Sequence, residues 1–136
     1  MDSTNAAPRQ QMTKTRADTT SINTAALIVH NMAKDKGWWT PIPDEDGHPR
    51  VKSLTECIAL VMSECSEAIE AFREGGVANA FVIDDGKPEG WAVELIDAII
   101  RILDTLMWYG IEPQRILDTK IRFNSTRSLR HGGKLL

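Results

Sequence analysis

Glu64 and Glu67, followed a helix-length later by Glu94 and Asp97, form two carboxylate pairs, each spaced i and i+3. On an α-helix that spacing sets both side chains of a pair on one face, so two facing helices can aim all of these oxygens at one point. Anions gathered in a partly dry space repel one another until a metal, a cationic ligand or protonation neutralises them. Mg²⁺ favours oxygen ligands and often bridges substrate phosphates. The chemistry to expect from such a set is metal-assisted attack on a phosphate.

Two helices must carry the pairs. Ser53-Leu54-Thr55-Glu56 has the form of a capping box and predicts a helix running to about Glu74 and stopping at Gly75-Gly76. Leu54, Ile58, Val61, Met62, Cys65, Ile69 and Phe72 make one apolar stripe along it. On a wheel at roughly 100° per residue, Glu56, Glu70 and Glu74 fall on the opposite, solvated side. Glu64 falls among Cys57, Leu60, Val61, Ala68 and Ala71, a second apolar flank, and Glu67 lies at the boundary between that flank and water.

The next helix is predicted to start with Pro88 at its first position and to reach about Tyr109, before Gly110. Apolar residues cover most of its circumference, which marks it as central. Its polar residues Glu94, Asp97, Arg101, Asp104 and Thr105 fall in one strip that faces either an internal site or water. In the second case Asp97–Arg101 and Arg101–Asp104 pairs would each contribute only about 0.2–0.5 kcal/mol.

Two further helices complete the pattern. One follows a possible Ser21 cap, with Ile22, Ala25, Ala26, Val29, Met32 and Ala33 at helical spacing and Gly37 at its end; the other starts at Pro113. The loop through Trp38, Trp39, Pro41, Pro43, Gly47 and Pro49 cannot be regular helix, and Asp84-Asp85-Gly86 reads as a turn. Four helices and no convincing strand point to an all-α bundle. Met1 to Thr20, polar and without core residues, reads as a flexible N-terminal arm, leaving residues 21–136 as one domain.

A net charge of −3 and a pI near 5.6 argue against a general nucleic-acid binder. The charge is divided, however. The middle of the chain is acidic, whereas Arg115, Lys120, Arg122, Arg127, Arg130 and Lys134 make the end basic, a division that suits a metal and an accompanying polyphosphate. Cys57 and Cys65 fall on one predicted helix, where a bond between them lacks the geometry, so both are expected to be reduced. No apolar run approaches a membrane span and no secretory signal opens the chain; a cytoplasmic location is the expectation.

A larger pattern contains these residues. Ser63-Glu64-Cys65-Ser66-Glu67-Ala68, Lys87-Pro88-Glu89-Gly90, Glu94-Leu95-Ile96-Asp97 with Ile100-Arg101 and Asp104, and then Lys120, Asn124, Arg127 and His131-Gly132-Gly133-Lys134 follow in order. Together they resemble the MazG-like, all-α nucleoside triphosphate pyrophosphohydrolases, over about Ile22 to Lys134. The resemblance implies that Glu64, Glu67, Glu94 and Asp97 bind Mg²⁺, with Mn²⁺ as a substitute, and that a nucleoside triphosphate is split into the monophosphate and pyrophosphate. It departs at Ser63, where many members carry a further acid, which leaves the number of metals and the base open.

The same resemblance places Lys120, Asn124, Arg127 and Lys134 near phosphates and gives Trp38 or Trp39 as a stacking surface for the base. Glu67, at the edge of the set, is the choice for orienting the attacking water alongside Glu64. Each has a plainer reading: a basic surface helix, a free tail, and tryptophans packed across a loop. Lys87 is either a phosphate contact or a turn residue, and His30 a residue along the first helix without a catalytic part. Apolar surface beyond what one short bundle covers predicts a homodimer or a homotetramer built as a dimer of dimers.

The competing function is a non-catalytic helical module that binds metal or nucleotide without turnover. A di-iron bundle fails because the one Glu-x-x-His, Glu45 and His48, lies between prolines in a loop; Asp44-Glu45-Asp46-Gly47 lacks the remaining positions of a calcium loop. Neither cysteine has an obvious histidine partner for nucleophilic catalysis.

Overall fold

Three of the four helix starts follow from local chemistry. In the computed structural model, which describes residues 21–127, the Ser21 side chain accepts the Thr24 amide and opens α1, Ile22–Asp35. Ser53 and Glu56 close a reciprocal capping box that opens α2, Leu54–Gly75. Pro113 occupies the first position of α4, Pro113–Ser125, where its missing N–H is no loss. The predicted arm at Met1–Thr20 lies outside the described residues, as does Lys134.

The third helix starts later than expected, and the reason is a strand. Val82–Asp84 (β3) and Lys87–Glu89 (β4) pair antiparallel with Ile83 opposite Pro88, so Pro88 belongs to a hairpin and α3 spans Trp91–Trp108. Asp85 at φ 45° and Gly86 at φ 78° form the turn, the pair of positive φ values that matches the twist of a two-residue hairpin. Gly90 then joins hairpin to helix at φ 119°, and a Cβ there would lie 2.6 Å from the Asn79 carbonyl oxygen. Only glycine fits that approach.

A second hairpin also departs from the all-α expectation. Ile42–Pro43 (β1) pairs with Pro49–Arg50 (β2) across a turn in which the Asp44 carboxylate accepts the Asp46 and His48 amides. Both ladders are too short to show alternation, and prolines hide them. The architecture among the described residues remains mostly helical, with four α-helices, a short 3₁₀ segment at Gly76–Ala80 and two small hairpins.

As expected, α3 is central: it packs against α2 and α1, and α4 rests on α1. The Gln114 amide donates to Asn23 Oδ1 at 3.0 Å across that last contact. The buried positions are mostly small, including Ala26, Ala33, Cys57, Ala68 and Ala98, which lets the helices approach closely. On α2 the buried flank is the one that carries Cys57, Glu64 and Ala68. The longer stripe of Leu54, Ile58, Met62, Ile69 and Phe72 stays open in the single chain, as do Leu95, Ile99 and Ile102 of α3. No described helix is long and apolar enough to cross a membrane.

Candidate metal centre

The packing of α2 against α3 brings carboxylates of the two helices together. Glu64, Glu94 and Asp97 each offer an oxygen within 4.8 Å of the others, close enough to share an ion. Glu64 is buried at 6 % exposure, and Glu94 and Asp97 are half-buried. Loss of water, then the charges of Glu67, Asp97 and Glu64, pushes the Glu94 carboxyl above its ordinary range. Desolvation followed by the Glu64 charge does the same to Asp97, with Arg101 pulling the other way. Hard oxygen donors this close together, two of them pushed toward the protonated form by their surroundings, are a donor set that can hold a metal ion.

Glu67 stands apart from the three. It is exposed and accepts a hydrogen bond from Ser63 Oγ at 3.1 Å, one turn earlier on α2. Its charge still raises both Glu94 and Asp97, so it sits at the rim of the cluster. Lys87 on β4 occupies the rim as well: Glu89, at 2.6 Å, is its ion-pair partner, and the charges of Glu94 and Asp97 add to holding the ammonium protonated.

The strip on α3 is divided between two sites rather than forming a solvated edge. Arg101 reaches across to α2 and donates from Nε to Glu64 Oε1. Asp104 turns inward at 4 % exposure, against His30 Nδ1 at 2.7 Å and the Trp39 indole N–H at 2.9 and 3.0 Å. Among the described residues the Arg101–Asp104 pair of the solvated alternative is not made: each side chain has a buried partner on another element, which outweighs a pairing across one exposed turn. Thr105 completes the strip by bonding back to the Arg101 carbonyl.

The two loop tryptophans have different environments. Trp39 is 5 % exposed and stacks parallel on Trp108 with ring centroids 4.1 Å apart, while the Lys52 ammonium lies 4.7 Å from its ring centroid. Its faces are occupied by packing. Trp38 is 44 % exposed and lines a small cavity with Lys52, Arg101 and Thr105. That cavity adjoins the acidic cluster through Arg101.

Lys120 and Asn124 on α4, and Arg127 two residues past its end, are exposed. Lys120 and Arg127 flank the Phe123 ring at 5.3 and 5.7 Å. Among the described residues no hydrogen bond or ion pair joins any of the three to the acidic cluster, and α4 itself rests on α1. Sequence reasoning missed the His30–Asp104–Trp39 cluster; the available signal was Asp104 lying on the same narrow strip as Glu94 and Asp97. Asp44, Asp46 and His48, weighed above only as parts of a calcium loop and of a Glu-x-x-His pair, have potential ligand atoms within 4.8 Å of one another in the β1–β2 turn. Comparison with protein-family models, with curated proteins and with solved structures finds no match for this chain.

Proposed function

We propose that the chain is a Mg²⁺-dependent nucleoside triphosphate pyrophosphohydrolase, with Mn²⁺ as a substitute metal, acting by water attack at the α-phosphorus. The observation that carries this reading is the convergence of Glu64, Glu94 and Asp97 from two helices to within 4.8 Å. The order of motifs that resembles the MazG-like enzymes supports it from the sequence side. Glu64, Glu94 and Asp97 would hold the divalent cation, which would supply neutralisation of the charge that develops on the transferred group.

The chain's own residues divide the remaining work. Glu67, outside the three and steadied by Ser63, keeps a carboxylate oxygen for holding and orienting the attacking water. Lys87, at the rim, meets the phosphates. Trp38 offers an exposed ring for the base, next to Lys52. The bond broken joins the α-phosphorus to its bridging oxygen, and pyrophosphate leaves with that oxygen.

The open stripes on α2 and α3 form the contact face of a homodimer or homotetramer in this reading. That assembly offers a route for Lys120, Asn124 and Arg127 of a second copy to approach the phosphates, since α4 of the same chain rests on α1. The test is release of pyrophosphate from ribo- and deoxyribonucleoside triphosphates with Mg²⁺. Wild type is expected to be active, and Glu64→Gln and Asp97→Asn to lose about a hundredfold or more, since changes one shell further out already cost about 10–100-fold. Nucleotide binding without any pyrophosphate would replace the enzyme with a non-catalytic binding module.

A further inference from the structure

The cation that touches the acidic cluster is the chain's own. The Glu64 side chain is more than nine-tenths buried, and a charged group at that depth is costly unless it is paired. Arg101 provides it through Nε, yet the Arg101 side chain is itself 34 % exposed and also lines the cavity with Trp38, Lys52 and Thr105. It therefore lies between two environments, with a buried carboxylate on one side and an opening on the other. A guanidinium and a divalent cation against the same carboxylate repel each other strongly at such range.

We propose that Arg101 is an exchangeable counter-ion: it neutralises Glu64 while the centre holds no metal, and on metal entry it is released toward the phosphate oxygens of the substrate. This rests on the reading of Glu64, Glu94 and Asp97 as a metal centre. The geometry of the side chain suits both partners. Arginine presents a planar fork of donors that matches carboxylate and phosphate alike, and its charge is never lost by deprotonation. The Thr105 hydroxyl donates to the Arg101 backbone carbonyl, a contact that does not engage the guanidinium.

The test titrates Mn²⁺ alone into the full chain, reading free Mn²⁺ by electron paramagnetic resonance, and then inorganic triphosphate at saturating Mn²⁺ by calorimetry. R101M is expected to bind Mn²⁺ about tenfold tighter than wild type, because the internal competitor is gone, the figure being discounted for partial exposure. The same variant is expected to bind inorganic triphosphate about tenfold more weakly, the loss of a charged hydrogen bond. R101K, which keeps the charge without the fork, falls between the two on both measurements, and decides the matter alone where R101M does not melt cooperatively. Equal or weaker Mn²⁺ binding by a folded R101M overturns the proposal and makes Arg101 a fixed orienter of Glu64. Tighter Mn²⁺ with unchanged triphosphate binding also overturns it, since release to phosphate is part of it. A wild type that binds no Mn²⁺, or an E64Q that binds it as well as wild type, removes the metal centre itself and the exchange along with it.

Discussion

Asp104 on α3 and Trp39 in the loop after α1 are joined twice over, the indole N–H lying 2.9 and 3.0 Å from the two carboxylate oxygens. His30 approaches one of the same oxygens from α1. This cluster ties the first helix, the tryptophan loop and the central helix together behind the acidic centre, and it fixes the loop from which Trp38 projects. Asp104→Asn keeps the shape and exchanges one acceptor for a donor facing His30 or Trp39. The expected loss is about 1–3 kcal/mol, read as a lower urea midpoint with a red-shifted or broadened tryptophan signal. An unchanged midpoint would mean that the cluster does not hold the loop.

Glu56 couples pH to the start of the helix that carries Glu64. Hydrogen bonds from Arg50, then from the Ser53 backbone and side chain, hold its carboxyl down to about 2, well below the ordinary 4.5. Between those values the unfolded chain binds the proton and the folded one does not. The contribution is thus present above the ordinary carboxylate range and lost as pH falls through about 2. Wild type is expected to melt above Glu56→Gln near neutrality, with the gap closing in acid. A gap independent of pH would assign the difference to packing.

Met62 is 65 % exposed at the middle of the open α2 stripe, with Ile58 at 50 % one turn before it. On a true monomer surface a charge there changes stability by no more than about 0.5 kcal/mol. In a homodimer or homotetramer built on this stripe, Met62→Lys places a desolvated charge in the interface. Light scattering after size exclusion is expected to show an oligomer for wild type and a monomer for the variant. A monomeric wild type would remove the assembly and the shared site together.

What the sequence determined by itself is the local part. The Ser53–Glu56 box, the Ser21 cap and Pro113 act within one turn, so the starts of α2, α1 and α4 are legible from neighbours in the chain. The i, i+3 spacing of Glu94 and Asp97 is local too. The hairpins escaped because strands of two or three residues give no periodicity, and Pro88 favours a helix start as readily as an edge strand. The tertiary structure decided the destination of each side chain once its face was set. Arg101 and Glu64 are 37 residues apart, and His30 and Asp104 are 74 apart. Likewise, burial of the Cys57–Glu64–Ala68 flank rather than the larger Leu54–Phe72 stripe follows from which surface α3 meets. Such pairings depend on the approach of whole helices, whose angle and register no single segment encodes, and that approach is what converts acids spaced along a chain into oxygens a few ångströms apart.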